Sequence, residues 1–271
     1  MLMFHCGCAG WGLPKSFAEH FPAEGSHLER YAARFSGVEI NSSFYRPHRV
    51  QTYSRWAASV ANDFRFAVKV PKSITHEHRL LGVTALLDTF LAEVAGLGDK
   101  LGPLLVQLPP SLAFAPTVTE AFFSSLRDRS DAQIVCEPRH ASWFTDEAQD
   151  LLTQFRIARA AVDPIPVPQA REKPSEPGGW QGLAYYRLHG SPIIYRSPYL
   201  PEFLDKLALS VREKINHGVP TWCIFDNTAE GEATGNALDL SQRLTEIKKS
   251  DNSGSKTQCG ELNPLRPSSD I

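Results

Sequence analysis

Residues 134–144, Ile-Val-Cys-Glu-Pro-Arg-His-Ala-Ser-Trp-Phe, decide how the rest of the chain is read. Ile134, Val135 and Cys136 form an apolar run with the length of a short buried strand, and charge follows at once in Glu137, Arg139 and His140. Ser142 is a natural N-cap for the helical pattern from Trp143 to Phe155. An apolar strand, a charged tip and a capped helix make one β-α unit, with its chemistry at the carboxyl end of the strand.

The unit recurs in both directions. Upstream, Met3–Ala9, Val38–Asn41, Phe64–Val70 and Leu104–Leu108 read as strands, and His27–Phe35, Arg49–Val60, Val83–Leu97 and Thr117–Leu126 carry helical spacing. Within the third strand, Phe64, Phe66, Val68 and Val70 share one face, with Ala67 and Lys69 on the other. Downstream, Ile157–Val162, Ala184–Gly190 and Thr221–Phe225 are strands, and Leu200–Ile215 and Asn236–Ile247 are helices. The rhythm fails once. Pro164–Gly179 holds five prolines and reads as an irregular connection standing where a helix would be, over the barrel mouth or along its side.

Eight strands alternating with helices predict an α/β fold, a TIM-type (β/α)8 barrel whose helix after strand 6 is replaced by this Pro-rich loop. An open doubly wound sheet is the alternative, but it accounts less well for a polar residue at nearly every strand end. A single domain is expected over 1–247. Residues 248–271 are polar and without pattern, as in a disordered tail.

A hydrophobic content of 42% with 21% charged residues is ordinary globular composition, and a net charge of -2 gives no whole-chain attraction to nucleic acid or acidic membranes. No apolar run approaches the ~20 residues that cross a bilayer. The amino terminus lacks the basic region of a signal peptide. Five cysteines, with Cys6, Cys136 and Cys223 inside strand-like runs, suit reduced thiols and a cytoplasmic protein.

In such a barrel the strand tips converge. Glu39, Asn41, Lys69, Gln107, Glu137, Arg139, Asp163, Arg187, His189, Asp226 and Asn227 form a candidate polar ring, with Asn227 of the wrong parity unless its strand bends. Buried without partners, these groups would cost several kcal/mol each, so they pair with one another or face a ligand. A fully paired plug filling the barrel is the bland alternative. Lys69 can serve as a Schiff-base nucleophile, or as a cation that holds an anionic substrate or pairs with Glu137; the second role is preferred. Glu137 and Asp163 suit an acid/base pair, and His189 suits a proton shuttle or a partner for Asp226. His76 and His78, in the segment Thr75–His78, could join Glu39, Glu137 or Asp163 around a divalent metal, a reading their spacing does not favour. Trp11, Phe44, Tyr45, Trp143, Tyr195 and Tyr199 could stack a sugar or a base.

The segments GCAGW at 7–11, EINSSFYRP at 39–47, FAVKVPKSITHEHRL at 66–80, VQLPPS at 106–111, CEPRHASW at 136–143, YYRLHG at 185–190 and FDNTAEGEATGNA at 225–237 together resemble the DUF72 (YecE-like) family, in order and across nearly all of 1–247. The resemblance implies a TIM-type barrel. It adds Tyr45, His76 and His140 to the motif positions already named. Asp226 replaces an asparagine common in the family, and Ser191 stands where an arginine is frequent, with Arg196 as its substitute. The functional expectation is an enzyme acting on a small polar or anionic ligand, phosphorylated or sugar-like, at the mouth. Glu137, Lys69, Asp163 and His189 would carry the chemistry, and Glu39, Asn41, Tyr45, His76, Gln107, Arg139, His140, Arg187, Asp226 and Asn227 would bind. A metal-dependent, endonuclease IV-like phosphodiesterase acting on nucleic acid and a non-catalytic ligand-binding barrel are the alternatives. Both Glu137→Gln and Lys69→Met are expected to leave folding intact.

Overall fold

The computed structural model describes residues 3–165, 167 and 175–254. Strands β1 (Phe4–Cys8), β2 (Gly37–Ile40), β3 (Arg65–Lys69), β4 (Leu101–Gln107), β5 (Ile134–Glu137), β6 (Ile157–Arg159), β7 (Ala161–Asp163), β8 (Gly178–Gly179), β9 (Ala184–Leu188) and β10 (Thr221–Phe225) alternate with helices through most of the chain. The helices are α1 (His27–Ala32), α2 (Val50–Ala58), α3 (Thr84–Val94), α4 (Pro116–Arg127), α5 (Asp146–Gln154), α6 (Pro201–Asn216) and α7 (Glu232–Gly254). This is an α/β protein with parallel sheets. Two are present, in the orders β1-β10-β9-β7 and β2-β3-β4-β5-β6-β8. Every pairing is parallel except that of β6 with the two-residue β8.

The sheets touch at two seams. A parallel bridge joins Ala9, just past β1, to Glu39 of β2, and the Gly10 amide donates to the Glu39 carbonyl at 2.9 Å. At the other seam, the strand expected over Ile157–Val162 is two short strands parted at Ala160. Its first part pairs with β5 and its second with β9. Among the described residues the two sheets do not join into one closed sheet, and the complete eight-stranded barrel expected from the sequence is not shown.

Strand parity sorts the side chains into two apolar regions. Phe66, Val68, Leu104, Val106, Ile134, Cys136, Cys223 and Phe225 pack with the helices in a large outer core. Ala67, Leu105, Val135, Ala158, Ala160, Val162, Tyr185, Trp222 and Ile224 form a smaller core on the opposite faces of the strands. The Trp222 indole lies in this second core, stacked on His5 at 4.6 Å, where Gly37 and Gly102 leave room for it. A Cβ at Gly102 would come within 2.8 Å of the indole.

Some local expectations need correction. Ser142 does not cap a helix over 143–155: Ala141–Trp143 is a turn of 3-10 helix, and α5 starts later, with the Thr145 hydroxyl accepting from the Ala148 amide. Asp146 and Glu147 then complement the helix amino end. The connection between β3 and α3, which holds the segment Thr75–His78, contains a π-helical turn, Ser73–Glu77. Helix α7 begins before Asn236 and runs to Gly254, seven residues past the expected helix end at Ile247. The remainder of the expected tail, 255–271, lies outside the described residues, as do Pro166 and residues 168–174 of the Pro-rich connection. Among the described residues of that connection there is no helix, only β8.

Candidate functional site

The inner faces of the strands change character along their length. Toward the amino ends they carry Ala67, Leu105, Val135 and Trp222, and two residues onward in each strand come Lys69, Gln107, Glu137 and, beyond Ile224, Asp226. Period-two alternation gives each side chain the same face as its apolar predecessor, and parallel register sets the tips level, with Gln107 opposite Glu137. Arg187 follows Tyr185 on β9 in the same way.

Arg187 is the centre of the cluster and is fully buried. Its guanidinium contacts Glu39 at 2.8 Å, Asp226 at 3.0 Å and Glu137 at 3.2 Å, joining strands from both sheets. Each carboxylate has further donors. Tyr185 donates its hydroxyl to Glu39 at 2.9 Å, Gln107 donates its amide to Glu137 at 2.8 Å, and Arg139 reaches Glu137 at 2.9 Å. His189 Nδ1 lies 3.0 Å from Asp226, and its Nε2 lies 3.3 Å from Arg187 and 3.6 Å from Glu137. Donation from Nδ1 to Asp226, with Nε2 accepting from Arg187, is the tautomer this geometry suits. Burial alone would raise the Glu137 carboxyl, but Arg187, then Arg139 and His189, outweigh it and hold the pKa well below the usual range. The same contest lowers Asp226, where burial is overcome by Arg187 and the hydrogen bond to His189. Arg187 is itself held far above its ordinary value: burial opposes its charge, and Asp226, Glu39 and Glu137 prevail.

Lys69 stands apart. It is 5% exposed, yet among the described residues its ammonium makes no hydrogen bond or ion pair, resting instead over the Phe44 ring at 4.1 Å. The expected pairing with Glu137 is absent because Arg187, Arg139 and Gln107 already occupy that carboxylate. Burial and the charge of Arg187 lower the Lys69 pKa to about 8, against the pull of Glu39, Glu137 and Asp226. His76 meets the same Phe44 ring edge-on at 4.9 Å and accepts or donates at Nδ1 to the Thr75 hydroxyl. Its pKa is lowered by burial, then by Lys69 and Arg139.

The remaining candidates divide. Asn41 has a buried Oδ1 without a hydrogen-bond partner and lines a cavity of about 530 Å³ with Trp11, Ser42 and Tyr45. Arg139 and His189 line another of about 380 Å³, walled by Pro110, Val162, Ile165 and Ile194 and bordered by Tyr195. Tyr45 is exposed at the rim. His140 turns its Nδ1 to Ser142 at 2.8 Å. Asp163 has the parity of Ala161, an outer-core residue, and among the described residues no hydrogen bond joins it to Glu137; its carboxyl is raised by burial. Asn227 is turned away as its parity implied, donating to Asn236 at 2.9 Å and to the Ser197 carbonyl at 3.0 Å. Sequence reading missed Tyr185 as a ring member and left Phe44 as a stacking aromatic. Tyr185 shares alternation with Arg187, and that signal could have found it.

Among the described residues no three His, Cys, Asp or Glu side chains are grouped to hold a metal, and Glu39, Glu137 and Asp226 converge on a guanidinium instead. Likewise, no helix among them is long and apolar enough to cross a membrane. The described cysteines, Cys6, Cys8, Cys136 and Cys223, are buried and free, and burial pushes the Cys6 thiol up to about 12. A cavity of about 820 Å³ opens at the other end of the strands, beside Met3, Phe4, Phe35 and Ile215, remote from the charged cluster.

The fold and cluster define a class: parallel α/β proteins that gather an arginine-centred set of carboxylates at the carboxyl ends of their strands. Within it the chain belongs to the family described as "protein of unknown function DUF72", whose model matches residues 5–258. It is 30% identical over 177 residues to UPF0759 protein YecE of Escherichia coli K12, an alignment covering 62% of each chain. The chain thus spans less than two thirds of that relative's length. Of solved structures, a DUF72 family protein from Thermotoga maritima superposes with a TM-score of 0.72 at 25% identity, covering 90% of this chain and 100% of that one. Another, from Enterococcus faecalis, gives 0.73 at 20% identity, covering 98% and 100%.

Proposed function

We propose that the protein is an enzyme that binds a small anionic molecule at the carboxyl ends of its strands. One observation carries this reading: beside a cluster whose carboxylates all have other donors, Lys69 is left buried without an acceptor. A buried ammonium that lacks a partner costs several kcal/mol, and a ligand anion would relieve that cost. Arg139, on the 380 Å³ cavity, supplies a second cation, and its volume is within the range of small-molecule sites. Asn41, on the 530 Å³ cavity, offers an unmatched acceptor that would suit a donor group of the ligand rather than its anionic part. Arg187 is withdrawn from the anion-binding set, because three protein carboxylates already surround it.

A closed eight-stranded barrel is part of the proposal. Side chains of β9 and β10 reach strands of the other sheet across the interior: Arg187 touches Glu39 and Glu137, and Trp222 packs on Gly37 and Gly102. Such contacts suit strands arranged around a common axis. A shift in melting temperature on titration with phosphate, acetate and pyruvate tests the site. Binding to the native state at about 100 times Kd stabilises by ~2.7 kcal/mol, and Arg139→Gln is expected to remove that gain. If none of the three anions raises the melting point, the anion site does not exist.

A further inference from the structure

We infer that Lys69 is a nucleophile that forms an imine with a small 2-oxo acid, the Lys69–Phe44–His76 arrangement serving as the reaction centre. This rests on the anion-site reading and gives it a substrate class. A lysine whose role is to hold charge normally has an oxygen acceptor. Here every neighbouring carboxylate is engaged elsewhere, and Nζ faces an aromatic ring at 4.1 Å. Burial and the lack of an oxygen acceptor favour a neutral amine, the form that attacks carbonyl carbon, against the attraction of the ring face for the ammonium. The groups acting on Lys69 are named on every side: Arg187 and burial favour the neutral form, while Glu39, Glu137 and Asp226 favour the charged one, with about 8 as the outcome. At neutral pH the amine fraction then exceeds that of an ordinary surface lysine on the order of 100-fold.

The chemistry balances within the site. The Nζ lone pair attacks the carbonyl carbon and the carbonyl π electrons move to oxygen; the nitrogen gives up one proton and the oxygen takes one, which yields the neutral carbinolamine. A second proton reaches the hydroxyl, which leaves as water as the restored nitrogen lone pair forms the C=N bond. The remaining N–H proton leaves for a base if the imine is to be neutral. His76 can deliver and collect these protons. It sits on the same Phe44 ring, and Lys69 and Arg139 act with burial to keep it neutral. Arg139, the second cation of the proposed anion site, would hold the carboxylate of the 2-oxo acid. The apolar wall of Val162, Ile165 and Ile194 beyond Arg139 would accept a short hydrocarbon substituent.

The test is reductive trapping of the intact protein with sodium cyanoborohydride and either glyoxylate or pyruvate, read by peptide mass spectrometry. Expected is alkylation of the Lys69 peptide about 10-fold or more above any surface lysine, rising with pH through about 8. Lys69→Arg, which keeps the charge, and Lys69→Met should both lose the label. Phe44→Leu, which keeps the burial but removes the ring face that attracts the ammonium, should move the profile toward lower pH. No adduct at Lys69, or one no stronger than that of surface lysines, overturns the inference. In that event a melting shift with pyruvate that survives in Lys69→Arg leaves the anion site standing with Lys69 as a cation. Absence of both adduct and shift removes both readings.

Discussion

Arg187 and Lys69 are buried cations on strands that face the same interior, and they are opposites in circumstance. Arg187 is fully enclosed and contacts Glu39, Glu137 and Asp226, and its charge is reinforced. Lys69 lies among the same carboxylates but bonds to none, and its charge is weakened. The difference follows from geometry. A planar fork with five donors can bridge several carboxylates at once, whereas an ammonium on a flexible stem must compete for oxygens already taken. One residue is therefore held by three partners, and the other has no acceptor of its own. A polar interior can be part plug and part site.

Replacing the two cations by the same residue tests the contrast. Arg187→Met leaves three carboxylates buried around an apolar side chain and should destabilise by about 3–5 kcal/mol, enough to be seen as a large drop in the urea midpoint or as failure to fold. Lys69→Met should act in the other direction. The folded-state pKa of Lys69, about 8, lies below the ~10.4 of an unfolded lysine, so between these values the unfolded chain binds the extra proton. Stability contributed through Lys69 rises as pH increases from about 8 to about 10, by up to roughly 3 kcal/mol. Below pH ~8 the full penalty of the buried ammonium is present, and Lys69→Met should match or exceed the wild type there while losing the alkaline rise. Urea melts of both proteins at several pH values give the slope directly; equal slopes would mean Lys69 is paired in solution.

A smaller effect is expected from Tyr185→Phe. It removes one donor from Glu39 but leaves the Arg187 contacts, for a loss of about 1–2 kcal/mol. A loss as large as that of Arg187→Met would show that Arg187 is not the member on which the cluster depends. Glu137→Gln, expected from sequence to leave folding intact, is reassigned by its contacts. It would leave Arg187 and Arg139 short of a charge partner, and it belongs with the structural substitutions.

The β-α rhythm was legible because it is written in short-range spacing: alternation within β3 placed Lys69 and Ala67 on one face, and the parity of Asn227 turned it away. What was not legible depended on distance along the chain. Nothing local marks Arg187 as the hub, since its partners Glu39 and Glu137 are 148 and 50 residues away. Asp163 ends its strand as Glu137 does, yet the break at Ala160 and the parity of Ala161 send it elsewhere. Ser142 and Thr145 are equally good caps by composition. The choice between them was made by tertiary contacts, the Phe114 amide donating to the Ser142 hydroxyl at 2.7 Å. Lys69 and Glu137 look like a pair in sequence, and only the crowding of donors around Glu137 separates them.

Beneath these charges, Ala67, Leu105, Val135, Trp222 and Ile224 make a floor without ionisable groups. Such a layer polarises weakly, so the field of the cluster is directed toward the open end, where an arriving molecule would feel it. Glu39, Glu137 and Asp226 against Arg139 and Arg187 leave a formal charge of -1, which protonation of Lys69 brings to zero. Loss or gain of that single proton would change the sign of the welcome an anion receives. The site would be most receptive on the acidic side of Lys69 and most reactive on the basic side, so uptake and chemistry would call for opposite states of one nitrogen.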